Sequence, residues 1–141
     1  MTTRPWSSRP RSGSACVGNE IPRAVRKGVR ERDEGRCLVC GARMTEIQHR
    51  VPRRTGGHRY SNLMAIDRTC HRRVHADPPW AEEFGFTVRA ATIFDPADVP
   101  LRTHLGWLTL DDEGGFEVIA PRALTADDLA AFLMQEVPQE G

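Results

Sequence analysis

The chemistry-bearing residues of this 141-residue chain fall in one order: Cys37, Cys40, His49, Asn62, Cys70, His71 and His75. Thiolates and imidazoles are the usual ligands of zinc, and a neutral imidazole takes up a proton near neutral pH. His71 and His75 stand i, i+4, so on a helix they share one face. Cys37 and Cys40 form a C-x-x-C pair followed at a distance by Cys70. No βαβ pattern surrounds them and the N-terminus lacks an apolar signal core, so metal binding is favoured over a redox pair or disulfides.

The elements that must position these groups follow from punctuation and periodicity. Residues 1–20 are rich in Arg, Ser, Pro and Gly and read as a disordered basic arm in which Cys16 is incidental. Pro22 opens a helix over 22–33 with Ala24, Val25 and Val29 on one side, and Gly35 ends it ahead of a cysteine knuckle. A strand over 45–51, a long loop over 52–61, a short extended piece over 62–66 and a helix over 68–76 come next. This strand–loop–strand–helix unit sets His49 and His71 over one groove, a site suited to a divalent cation. Beyond it, the pattern predicts a short helix over 80–84, a weak strand over 86–93 and a hairpin of 105–110 with 116–119. A last helix is capped at Thr125. Trp80, Phe84, Phe86, Trp107 and Phe116 are assigned to the core.

Charge is divided sharply. Residues 1–75 carry 17 Lys+Arg against 6 Asp+Glu (17 − 6 = +11), and residues 76–141 carry 3 against 13 (3 − 13 = −10). Only the first half suits a polyanion, and its arginines crowd around the histidines. The net +1 hides this asymmetry. No apolar run reaches the about 20 residues needed to span a bilayer, so the expectation is a cytoplasmic protein with no membrane partner.

The stretch from Val25 to Pro78 resembles the HNH endonuclease family, and more narrowly the small HNH proteins of bacteriophages of GC-rich hosts. The matching motifs are Cys37/Cys40, Gln48-His49, Pro52, Gly56-Gly57, Asn62-Leu63 and Cys70-His71. The tail over 94–115 is similar to the extension of those phage proteins. The resemblance implies an α+β chain with a ββα-metal core, a zinc-knuckle-like cysteine cluster and a C-terminal β-hairpin and helix. Three segments are expected: the arm over 1–20, a nuclease core over 21–79 and an acidic extension over 80–141 packed on it.

The implied activity is metal-dependent hydrolysis of DNA phosphodiester bonds in a bacterial host cell. His49 matches the general base, His71 a ligand of the catalytic Mg²⁺, Mn²⁺ or Ni²⁺, and Asn62 the residue that orients the loop. Arg50, Arg53, Arg54, Arg59, Arg72 and Arg73 are the expected DNA contacts. Two positions depart from the family pattern. Gln48 stands where an acid or stronger ligand is usual, which leaves His75 or a substrate oxygen to complete the ion's shell. Asp67 stands where the family has a third zinc cysteine, giving a structural Zn²⁺ set of Cys37, Cys40, Cys70 and Asp67. His75 is also open to a phosphate contact or a helix C-terminal role, while His58 is assigned to a loop near DNA and His104 to the surface. Two rival readings are a weakly active or inactive DNA-binding zinc module, which Gln48 favours, and an accessory subunit of a phage packaging machine. In the latter the acidic half would dock on a partner such as the terminase.

Overall fold

The computed structural model describes residues 20–89 and 95–135. The expected basic arm, apart from Glu20, lies outside the described residues, as do Cys16, residues 90–94 and residues 136–141. Helix α1 (Arg23–Arg32) is preceded by Pro22, whose fixed φ suits a helix start. Val25 and Val29, four residues apart, are buried, while Ala24 is exposed. The chain leaves α1 through left-handed backbone at Glu34 and Gly35 (φ 58° and 70°), and the Gly35 N–H donates back to Arg30 O at 2.9 Å.

Strand β1 (Glu46–His49) pairs antiparallel with β2 (Leu63–Ile66) in the register Glu46↔Ile66 to His49↔Leu63. Leu63 and Ala65 pack on Val25 and Val29 of α1. Met64 and Ile66, on the other face, pack with Val74 of helix α3 (Arg68–Ala76). The ribbon is therefore buried on both sides, which is why β2 is apolar at every position. By the alternation of the pleat, Glu46 and Gln48 share the face toward α3, and Ile47 and His49 the face toward α1.

The connection between the strands is not the long loop expected. It contains a one-turn helix α2 (Arg53–Gly56) and a 3₁₀ turn over Tyr60–Asn62, so Asn62 precedes β2 rather than joining it. Asp67 caps α3, its side chain accepting from the Cys70 N–H. Asp77 ends α3 and caps α4 (Pro78–Glu83).

Residues 86–89 do not form the expected strand. Their N–H groups are taken elsewhere: Phe86 and Thr87 donate to Ala81 O and Val88 to Arg50 O. The hairpin is present as β4 (Gly106–Leu110) with β5 (Phe116–Ala120), and β3 (Leu101–Thr103) adds a third antiparallel strand. Helix α5 (Ala126–Gln135) follows, with Thr125 Oγ accepting from the Asp128 N–H at 3.0 Å. It covers Trp107 through Leu129 and Phe132, whereas Phe116 is exposed. Phe86, Leu101, Leu108 and Leu110 share one hydrophobic cluster with Leu38, Met64, Ile66 and Val74. The two halves of the chain are thus joined by a common core. Among the described residues no helix is long and apolar enough to cross a membrane.

Candidate functional site

Two polar constellations flank α3. At its N-terminus, the ligand atoms of Cys37, Cys40, Asp67 and Cys70 all lie within 4.8 Å of one another. The knuckle reverses at Gly41 (φ 84°), whose N–H donates to Cys37 O at 2.8 Å, a turn that favours glycine. Asp67 serves twice: Oδ1 accepts the Cys70 N–H at 2.8 Å and Oδ2 accepts from Cys40 Sγ at 3.2 Å. Burial pushes the Cys40 and Cys70 thiols up. Burial also raises Asp67, but the Cys70 N–H and the Cys40 thiol outweigh it and hold that carboxyl below its ordinary range. Four mutually close donors, three of them sulfur and one an anionic oxygen, fit a tetrahedral zinc ion. His104 is not simply on the surface, since its ring packs over Gly41.

The second constellation lines an open cleft of about 860 Å³ formed by Gln48, His49, Pro52, Arg54, His71, Val74 and His75, among others. His71 and His75, one turn apart on α3, bring their Nε2 atoms to 3.3 Å. Two nitrogens bound to one ion at about 2.1 Å lie roughly 3.0–3.4 Å apart as adjacent ligands, so this spacing fits a shared cation. Gln48 is 5% exposed, and its Nε2 donates to Phe86 O at 2.6 Å. That bond fixes the amide, and its Oε1 is buried without a hydrogen-bond partner. An orphaned acceptor on the same cleft as two imidazoles is a donor set for a divalent ion. The side chain of Glu46, which the sequence did not single out, accepts from His71 Nδ1 at 2.9 Å.

His49 reaches the cleft from the other face of β1, and its Nε2 lies 3.0 Å from Nδ1 of His58. The structure therefore brings His58 to the candidate base itself. Asn62 is fully buried and clamps the intervening loop. Its Oδ1 accepts the Val51 N–H at 2.7 Å, and its Nδ2 donates to Val51 O and Gly57 O, each at 3.0 Å. Gly56 is needed here for close approach, because a Cβ would meet Asn62 Nδ2 at 2.6 Å.

The arginines separate into two groups. Arg50 corrects the expectation of a phosphate contact: it is 1% exposed, with its guanidinium turned inward. Nε donates to Gly85 O, Nη1 to Ser61 O and Pro96 O, and Nη2 to Val99 O, all within 2.7–3.0 Å. Burial, with a smaller push from the nearby Arg32 charge, lowers its pKa to about 9. Period-2 alternation from Gln48 was the signal for this, since residues 48 and 50 leave a strand on one side. Arg59 bridges Asp95 at 2.8 Å and Asp112, in the acidic half. Arg54 is exposed and lines the cleft, while Arg72 and Arg73 are exposed on α3. Arg73 stacks over Trp80 at 4.0 Å. The side chain of Arg53 lies outside the described part of the structure.

No curated protein and no solved structure matches the chain. A family model described as HNH endonuclease matches residues 37–77, from the first knuckle cysteine to the residue after α3. The ββα ribbon, the cysteine cluster and the paired histidines all lie within this stretch, which is similar to the HNH endonuclease family.

Proposed function

We propose that the protein is a metal-dependent HNH endonuclease that hydrolyses DNA phosphodiester bonds at the cleft between β1 and α3. The observation that carries this reading is the meeting of His49, His71, His75 and the unpartnered Gln48 Oε1 on one cleft beside Arg54. His49 takes the proton of the attacking water, whose oxygen bonds to phosphorus as the phosphorus–oxygen ester bond breaks. His58, hydrogen-bonded to His49, is the next acceptor for that proton on its way to solvent. Asn62 fixes the loop that carries His58 and so aligns the pair. His71, His75 and Gln48 would hold a divalent ion, which would supply the positive charge that polarises the scissile phosphate and stabilises the leaving oxygen. Arg54 and Arg72 contact flanking phosphates, giving salt-sensitive binding with little sequence preference. Zinc at Cys37, Cys40, Cys70 and Asp67 is structural.

A DNA-binding module of low activity is the second reading, favoured by Gln48: an amide is a neutral ligand and weaker than a carboxylate. Plasmid nicking with Mg²⁺, Mn²⁺ or Ni²⁺ separates the two. Wild type is expected to nick and His49→Ala to lose at least about 100-fold of the rate. Cleavage by no metal, or equal cleavage by His49→Ala, overturns the enzyme.

A further inference from the structure

We infer that Glu46 is a positioning residue of the divalent-ion site, holding His71 in the one tautomer that can bind the ion. The inference rests on the metal-site reading above and adds to it a residue that the sequence did not single out. Glu46 sits two residues before Gln48 in β1, so the pleat delivers both side chains to the face of α3. The Glu46 carboxylate lies 2.9 Å from His71 Nδ1. A carboxylate only accepts, so Nδ1 must carry the proton, and in the neutral ring the lone pair is left on Nε2. That is the nitrogen 3.3 Å from His75 Nε2.

Three consequences follow from this contact. The ring plane of His71 is fixed, so less rotamer freedom is lost when an ion binds. The negative charge beside Nδ1 makes Nε2 a stronger ligand for a cation. It also adds an anion close to a donor set whose three members, Gln48, His71 and His75, are all neutral. Glu46 thus supplies from one bond away part of the charge that Gln48 does not supply directly. Both side chains are only partly exposed, 35% for Glu46 and 26% for His71, so water screens the pair incompletely.

The test uses zinc-loaded full chain and Mn²⁺ as the probe, with free Mn²⁺ followed by electron paramagnetic resonance. Wild type, Glu46→Gln, Glu46→Ala and His71→Ala are compared. Glu46→Ala should raise the Mn²⁺ Kd by about 10–100-fold, with Glu46→Gln, which keeps the shape and an acceptor, in between. In the absence of Mn²⁺, ¹⁵N NMR should show His71 with its proton on Nδ1 in wild type and shifted toward Nε2 in Glu46→Ala. A Kd within twofold of wild type in Glu46→Ala, while His71→Ala abolishes binding, overturns the role of Glu46 and leaves the metal site standing. An unchanged His71 tautomer in Glu46→Ala has the same meaning. Absence of Mn²⁺ binding to wild type overturns the metal-site reading and this inference with it.

Discussion

At the scale of single residues, Gln48 has two opposed duties. Its Nε2 satisfies Phe86 O while its Oε1 is left buried without a hydrogen-bond partner beside the cleft that the residue lines. Gln48→Asp is expected to tighten divalent-ion binding, because a carboxylate replaces a neutral ligand. The same change removes the donor to a buried carbonyl and should cost about 1–3 kcal/mol of stability. Calorimetric titration of Mn²⁺ and urea unfolding measure the two effects, and unchanged affinity would mean that Gln48 does not face the ion. The pair Gln48-His49 and the i, i+4 histidines were legible because strand adjacency and helix spacing are local. Glu46 was not: an acid near a strand end reads as a solvated side chain until the facing helix is in place. His58 was hidden for another reason, since only the folded loop returns it across nine residues to His49.

At the scale of elements, the segment before β2 is held from several directions. Arg32 donates to Tyr60 O and Leu63 O, Arg50 to Ser61 O, and Asp112 accepts the Ser61 N–H at 3.0 Å. Arg32 is itself paired with Asp33 through two bonds of 2.7 and 2.8 Å, so its buried charge is neutralised. Asp112 therefore ties the β4–β5 turn to the segment that presents Asn62. Burial raises the Asp112 carboxyl, but hydrogen bonds from Arg59 and Ser61 outweigh it and hold it below its ordinary value of 3.8. Asp95 is lowered by the Ala97 N–H and by Arg59. A depressed carboxyl stabilises the fold above its unfolded pKa and loses that contribution as pH falls through the folded value. Asp112→Asn should then lower the urea midpoint at neutral pH, with the gap from wild type closing on acidification below about pH 3.8. A gap independent of pH would show that the charge of Asp112 is not what matters. The hairpin itself was legible from Asp-Asp-Glu-Gly-Gly, where Asp111 Oδ1 accepts from the Glu113 and Gly115 N–H groups and Gly114 takes φ 90°. Strand β3 was not, because three residues carry too little alternation to stand out.

At the scale of the molecule, the basic and acidic halves meet in ion pairs as well as in the shared core. Arg59 spends its charge on Asp95 and Asp112, so part of the positive balance around the site is neutralised internally. The cysteine cluster fastens the knuckle after α1 to the start of α3, the helix that carries both cleft histidines. Removing zinc with a strong chelator should lower the melting temperature by on the order of 10 °C. Circular dichroism melts with and without restored Zn²⁺ measure this, and Cys70→Ser should melt like the chelated protein. An unchanged melting temperature would refute a structural metal. Three features needed only sequence: the ββα ribbon, the cluster and the split of charge. The direction in which the extension packs was not legible, since it depends on Arg50 and on contacts between residues far apart in the chain.

Arg50 has one more consequence. Its four acceptors are spread over residues 61 to 99, well past the stretch that matches the family model. A piece cut at the motif's edges would keep a buried cation and lose three of the four carbonyls that solvate it. The motif is therefore not a portable cassette: transplanted or trimmed without the acidic half, it would carry its own unneutralised interior charge along with it.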